Sequence, residues 1–430
     1  MNFNMDYRND IGFALSADAT DPLYKFRKEF LFPQHNSKEV IYFTGNSLGL
    51  QPISVKQALF NELNDWEKYG VEGHFKAKNP WFSYHEMFKE PLTHLVGSLP
   101  HEVTVMNGLT VNIHLLMVSF YQPQGKRTKI LCEAKPFPSD YYAIESQLKF
   151  HGLNTKEHLI EVHPREGEHT IKHEDILRAI EENKNELALV FIGGVNYYTG
   201  QVFNIKEITQ AAHKAGAYAG FDLAHATGNI QLNLHEWNVD FAAWCSYKYL
   251  NSGPGSVSGI FVHEKFANNR ELPRFAGWWG YPANKRFLME PGFTPAHGAD
   301  GWQLSNAAVF AMAPHKVALE VFAKAGFDAL CEKRNRLTGY LEYIIDTVCA
   351  ENKNANLQII TPRNISERGC QLSVLTGNNG KKIFDYLSDN GVIADWREPN
   401  VIRLAPVPLY NSFEDVFVFG QLLNNAFKNR

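Results

Sequence analysis

The sequence predicts an α/β fold in which a large domain, with a mostly parallel sheet between helices, is followed by a smaller C-terminal α+β domain. Three observations predict it. From about residue 100 to 265, short β-rich runs alternate with helical patterns, which is how a parallel sheet covered on both faces is written. Runs such as "LALVFIG" and the "FAAWC" core of "VDFAAWCS" are continuously apolar rather than alternating, as strands buried on both faces must be. Beyond residue 300 long helical stretches give way to short strands, so the architecture changes there.

Taken in order, the first 54 residues read as an N-terminal arm, residues 55–305 as the large domain and 306–430 as the small one. "VKQALFNELNDWEKYG" (55–70) is an amphipathic helix leading into the large domain. The expected strands are "EVTVMN" (102–107), "TKILCE" (128–133), "LALVFIG" (187–193), "GAYAGFD" (216–222), "VDFAAWCS" (239–246) and "SGIFVH" (258–263). One helix between them is fully marked: Asn204 caps it, Glu207 stands three residues on, Ile205, Ile208, Ala211, Ala212 and Ala215 form its apolar stripe, and Gly216 stops it. In the last third, a helical stretch containing Pro314 is expected to bend there, and a second helix follows near 328–350. The strands "LQIIT", "CQLSVL", "GVIAD" and "NVIRLA" come next, with a helix at 380–389 among them and a final helix after Ser412, whose partner Asp415 completes a capping pair.

Composition narrows the function. A chain of 430 residues with a formal charge of -4 carries no basic stripe for nucleic acid and no cationic cluster for an anionic membrane. No apolar run approaches the ~20 residues of a membrane span, and the opening "MNFNMDYRND" lacks the pattern of a signal peptide, so a cytoplasmic location is expected. The five cysteines, at 132, 245, 331, 349 and 370, include no C-x-x-C pair; neither a disulfide framework nor a metal site is indicated. The histidines of "EVHPREGEHTIKHED" read as a solvated surface stretch.

The chemistry gathers where polar residues fall at the carboxyl ends of predicted strands, the edge at which open parallel sheets bind ligands. Lys248, in "CSYKYLN", sits where a buried strand opens into a glycine-rich turn; an ammonium avoids such a place unless it is paired or its pKa falls. Asp222 ends another strand and His225 follows three residues later. "VMNGLTVNIHLL" reads as strand, glycine turn and helix, so the N–H groups at Leu109 and Thr110 face a phosphate at a helix start. "KPFPSD" supplies an aromatic, Phe137, and a carboxylate, Asp140. Together these are the parts that pyridoxal 5'-phosphate requires: an amine for the Schiff base (Lys248), a carboxylate for the ring nitrogen (Asp222), a flat face (Phe137) and a helix start for the phosphate. Neither a dinucleotide fingerprint nor a Walker loop competes.

The motifs "TGNSLGLQP" (44–52), "KPFPSD", "VNYYTGQ" (195–201), "GFDLAHATGN" (220–229), "WCSYKYLNSGPGS" (244–256), "GWWG" (277–280) and "RLAPVPLYNSF" (403–413) together closely resemble the kynureninases, fold-type-I pyridoxal phosphate enzymes. The resemblance runs from about residue 40 to the C-terminus. It implies hydrolysis of the Cβ–Cγ bond of L-kynurenine or 3-hydroxy-L-kynurenine, giving L-alanine and an anthranilate, with tryptophan breakdown or NAD synthesis as the pathway. It further implies Lys248 as the Schiff-base lysine; Leu109, Thr110, Phe137, Asp140, Asp222, His225 and Tyr247 as cofactor contacts; and Trp278 and Asn306 reaching that site from the second subunit of a homodimer. Tyr247 is the candidate proton donor at the cleaved bond.

Arg403, among the apolar residues of "VIRLAP", needs an anionic partner; this is either a structural carboxylate or the substrate's α-carboxylate, and the resemblance favours the second. His74, Ser305 and Asn306 match positions lining the substrate's ring pocket and can all hydrogen-bond, so a ring hydroxyl is expected to be accepted. Gly193 stands where many members carry serine or threonine. A desulfurase would need a reactive cysteine on a mobile loop, whereas Cys370 falls in a strand pattern and Cys331 and Cys349 in a helix.

Overall fold

The computed structural model describes residues 6–352 and 355–428; the first five residues of the expected arm lie outside it. The chain divides into two compact units, one of residues 55–197 and 203–320, the other of 1–54, 198–202 and 321–430.

The first unit is built on seven strands: β1 (Val103–Met106), β2 (Lys129–Glu133), β3 (Leu159–Val162), β4 (Leu187–Gly193), β5 (Tyr218–Asp222), β6 (Phe241–Cys245) and β7 (Ser258–Val262), in the order β1-β7-β6-β5-β4-β2-β3. β7 runs antiparallel to both neighbours and every other pairing is parallel. The expected mostly parallel sheet is therefore present, and the carboxyl ends of β1, β6, β5, β4, β2 and β3 share one edge. β4, β5 and β6 are buried almost without a break, because helices on both faces leave no side of them for water. Gly220 of β5 is fixed by close packing: a Cβ there would lie 2.0 Å from the Phe241 ring. Phe120, Phe191, Phe241 and Trp302 pack in the core, with the Phe120 and Phe241 rings stacked at 4.8 Å.

Sequence patterning placed six of these strands and missed β3, a four-residue run at the sheet edge with three half-buried residues. The helix Ile205–Lys214 forms as its signals require: the Asn204 side chain accepts from the Glu207 N–H at 3.2 Å, and Gly216 takes φ +74°. His173, expected on a solvated loop, is the first residue of a helix, His173–Glu182.

In the second unit, β8 (Leu357–Ile359), β9 (Leu372–Thr376), β10 (Asp395–Arg397) and β11 (Val401–Leu404) form an antiparallel sheet in the order β8-β9-β11-β10. The helices Phe327–Glu351 and Phe413–Lys428 pack on it through Leu337, Leu341, Ile344, Phe413, Val416 and Phe419. The capping pair after Ser412 forms in both directions, and Asp18 adds its carboxylate to the N–H groups of Phe413 and Glu414 at 2.8 and 2.9 Å. Pro314 lies inside the helix Val309–Ala325.

Candidate active site

The strand ends of the first unit bring the predicted group together. β6 ends at Cys245, and the chain turns through the half-buried Tyr247 and Lys248 before Asn251 takes φ +57°. The Lys248 Nζ stands 5.8 Å from the centroid of the Phe137 ring. Asp222, buried at the end of β5, accepts the Ala224 N–H at 2.7 Å and is hydrogen-bonded to Asp140, in the first turn of the helix Pro138–Phe150. Two buried carboxyls in contact cannot both ionise. Burial, then the charge and hydrogen bond of Asp222, hold the Asp140 carboxyl well above the usual range, against the pull of Lys248.

Tyr247 pairs with the Cys245 thiol, and burial pushes its hydroxyl well up, so it keeps its proton at neutral pH. His225 is buried, and its carbonyl accepts from the Asn229 amide at 2.8 Å. Phe137 caps the helix Pro138–Phe150 and meets Tyr197 edge-on at 5.3 Å.

Leu109 and Thr110 open the helix Leu109–Phe120, whose first N–H groups have no intrahelical acceptor. Thr110 Oγ1 lies 2.6 Å from Ser139 Oγ, so two helix starts present paired hydroxyls. Sequence reasoning passed over Ser139, although its place one residue into the helix after "KPFP" was the available signal.

A second pole involves the substrate-ring residues. His74 and Asn306 line one cavity of 490 Å³ with Trp66, Trp81 and Phe310. His74 Nδ1 lies 2.9 Å from the Val71 carbonyl and its ring meets Trp81 edge-on at 5.5 Å. Ser305 and Asn306 are exposed, as is Trp278, whose indole N–H donates to the Arg286 carbonyl at 3.1 Å. Lys248, Asp222 and Asp140 are not among the residues lining that cavity. In the second unit, Arg403 is fully buried in β11 and forms an ion pair with Asp395 directly across the ladder.

Two further features bear on the chemistry. Burial pushes all five thiols up, Cys370 to about 12, so none is poised as a thiolate. Glu102, His235 and His263 converge, but the Glu102 carboxylate already accepts from the N–H groups of Leu99 and Glu264 and pairs with His235, making it a staple between loops.

Comparison with known proteins agrees with this geometry. The class-V aminotransferase family matches residues 41–350, and the kynureninase C-terminal domain matches residues 330–423. Kynureninase from Flavobacterium johnsoniae is 59% identical over 98% of this chain and 99% of its own, and that from Myxococcus xanthus is 49% identical over 97% of each. The chain belongs to the kynureninase family. Among solved structures, the apo cysteine desulfurase of Thermococcus onnurineus NA1 superposes with a TM-score of 0.75 at 16% identity, covering 94% of this chain and 98% of its own. The fold is thus that of the fold-type-I pyridoxal phosphate enzymes, shared with proteins of other chemistry, and membership of the kynureninase family rests on sequence.

The residues present fit pyridoxal 5'-phosphate, the cofactor of this fold. Among the described residues, the buried Asp140 Oδ1 has no hydrogen-bond partner, and the carboxyl pair holds a proton beside Asp222, where a protonated ring nitrogen can take over the contact.

Proposed function

We propose that this protein hydrolyses the Cβ–Cγ bond of L-kynurenine or 3-hydroxy-L-kynurenine, releasing L-alanine and the corresponding anthranilate. The observation that carries the reading is an amine, an aromatic ring and a buried carboxyl pair at the strand ends of a chain 59% identical to a kynureninase.

Bound pyridoxal phosphate supplies an electron sink for the substrate's Cα and Cβ. Lys248 would hold it covalently and, as a free amine, would carry the Cα proton. Asp222 would pair with its ring nitrogen, with Asp140 steadying Asp222. Phe137, His225 and Tyr247 would contact it, and the N–H and hydroxyl groups of Leu109, Thr110 and Ser139 would hold its phosphate. Arg403 binds the substrate's α-carboxylate with a guanidinium that Asp395 fixes in plane. Tyr247, which keeps its hydroxyl proton at neutral pH, donates it at the cleaved bond. One water enters the γ-carbonyl and both products leave, so the atoms balance without an oxidant.

The active sites are shared between two copies of this chain. Val71, Phe75, Phe287, Leu288 and Met289 expose 57–80% of their surface in one copy, an apolar area that monomers normally bury. Trp278, Ser305, Asn306 and His74 lie on the same unit and serve the partner's site, Trp278 and Asn306 at the cofactor and His74, Ser305 and Asn306 at the substrate ring. His74 and Asn306 offer hydrogen bonds to a ring hydroxyl, so the 3-hydroxy substrate is used at least as well as kynurenine. Free thiols and the lack, among the described residues, of a helix long and apolar enough to cross a membrane support a cytoplasmic location.

Nothing in the thiols favours the chemistry of the desulfurases that share the fold: Cys132, Cys245, Cys331 and Cys370 are buried, and burial pushes all five thiols up. Incubating the holoprotein with L-kynurenine tests the reading: anthranilate fluorescence and alanine should rise in equal amounts, and a keto acid with no alanine would overturn it.

A further inference from the structure

Glu133 is the last residue of β2, and its carboxyl is buried at the strand-end edge. Its two oxygens lie 3.2 and 3.3 Å from the Gly193 N–H, at the end of the neighbouring β4, and Gly193 is in register with Asp222 on β5. Three adjacent strands therefore end in Glu133, Gly193 and Asp222. The absence of a side chain at 193 matters here: a Cβ would stand 3.0 Å from Glu133 Oε1.

Asp222 on β5 acts on Glu133, which in turn acts on Asp140 of the helix Pro138–Phe150 and on its chain neighbour Cys132; Lys248 of the loop after β6 also acts on Asp140, and Glu161 of β3 on Cys132. Carboxyls outnumber the single ammonium, and burial together with Asp222 already holds the Asp140 carboxyl well above its usual range. A third carboxyl, wholly removed from water, with a backbone N–H and no cation in contact, has no structural need to be acidic; an amide or an apolar residue would fill the place at less cost. Burial, opposed by the backbone N–H groups and reinforced by the Asp222 charge, raises it to about 7.

We propose that Glu133 is a positioning residue that sets the charge beside the Asp140–Asp222 pair, and through that pair the protonation of the bound cofactor, without touching substrate. This rests on the assignment of Asp222 to the cofactor's ring nitrogen. When Glu133 ionises it adds a negative charge on the ring-nitrogen side of the site, and that charge favours the protonated form of the cofactor.

The test is a spectrophotometric pH titration of the holoenzyme's protonation-sensitive visible band, in the parent and in Glu133→Gln, with cofactor dissociation measured alongside. The midpoint in Glu133→Gln should fall by roughly half a unit to one unit, as expected for the loss of one nearby buried charge, while cofactor stays bound. Gly193→Ala, which crowds the same carboxyl without removing it, should move the midpoint in the same direction and covers the case in which Glu133→Gln does not fold. Superimposable titrations for the parent and whichever variants fold would overturn the proposal. Asp222→Asn separates the two readings: if it alters the band and Glu133→Gln does not, only the role of Glu133 falls, whereas if Asp222→Asn leaves band and cofactor affinity unchanged, the assignment beneath it falls too.

Discussion

Lys333 and Lys248 are both drawn away from water, to different degrees, and their surroundings differ. Lys333, in the helix Phe327–Glu351 of the second unit, keeps 4% of its side-chain surface and meets Asp21 at 2.7 Å. Burial pulls its ammonium pKa down against the opposing pull of Asp21, then Asp18 and Asp415, and the contact pair itself is closed: Lys333 and Asp21 meet with both side chains inside. Lys248 is half-buried at the mouth of a sheet, over an aromatic ring and acting on the Asp140 carboxyl, which burial and Asp222 hold well above its usual range. Lys333 balances a charge; Lys248 stands among groups whose protons can move. A buried lysine is therefore not by itself a sign of chemistry, and what distinguishes the two is whether the surrounding charges are settled.

The largest expected effect breaks the comparison on the Lys248 side. Lys248→Ala should lower kcat more than about 10⁴-fold, the scale of losing the covalent anchor and the proton carrier together, and should abolish the visible band. Thermal unfolding should change little, because a half-exposed side chain at a loop contributes about 1 kcal/mol or less. Retained activity would remove Lys248 from the site.

Lys333→Met should do the opposite. Stranding the Asp21 carboxylate costs about 3–5 kcal/mol of stability, read as a lower denaturation midpoint, while the visible band and its pH titration stay as in the parent. Adding Asp21→Leu should recover most of the loss, since two apolar groups replace both charges. If the single variant proves as stable as the parent, the pair is not closed in the way described.

The same contrast explains what could be read from the sequence. Lys248, Asp222, Asp140 and Phe137 were legible because each follows an apolar run whose only plausible continuation is a loop at the ligand edge of a parallel sheet. Glu133 fits that rule too, as the end of "TKILCE", but its neighbours in space are a glycine on β4 and an aspartate on β5, and no sequence spacing announces them. Arg403 was recognisable as a buried cation needing an anion; its ladder partner Asp395 depends on strand register, which the seven intervening residues leave open. The edge strand β3 was missed because a short, half-buried strand in a charged segment has neither a clean period nor a continuous apolar run. His74, Ser305 and Asn306, proposed for the substrate ring, lie at exposed or half-exposed positions, where patterning carries no signal; only motif resemblance reached them.

A pH experiment sharpens the comparison at the carboxyl cluster. The Glu133 carboxyl moves from its usual 4.5 to about 7 in the folded protein. A raised acid pKa favours the neutral form, so its contribution to stability is complete below the unfolded value and is lost as pH climbs through the folded one. At about 1.4 kcal/mol per unit, the loss approaches about 3 kcal/mol as an order of magnitude. Unfolding of the cofactor-free protein, followed from pH 5 to 9 in parallel with Glu133→Gln, should show the parent losing stability relative to the variant across that window. Parallel curves would mean that Glu133 ionises in the folded state as it does in the unfolded chain.

The smallest expected effect concerns what holds the Lys248 loop in place. His315, wholly buried in the helix Val309–Ala325, stacks on Phe88 at 5.1 Å and bonds Ser252 Oγ at 2.7 Å and Ser246 Oγ at 3.5 Å, and these serines stand on either side of Lys248. Burial depresses its imidazole to about 3, so it is neutral across the working range and acts as a hydrogen-bonding brace rather than a charge. Replacing it by phenylalanine keeps the stack but strands a buried hydroxyl, which costs about 1–3 kcal/mol. Because the imidazole stays neutral in the folded protein but takes up a proton near 6.5 once unfolded, the parent loses stability as pH falls through that value and the variant does not, so the deficit should shrink from pH 7 toward pH 5. If the brace also orients the lysine, kcat should fall several-fold with KM unchanged, and the visible band should keep its pH midpoint. A deficit that grew toward acid pH would show a charged imidazole in the folded protein and would replace the brace with an electrostatic role.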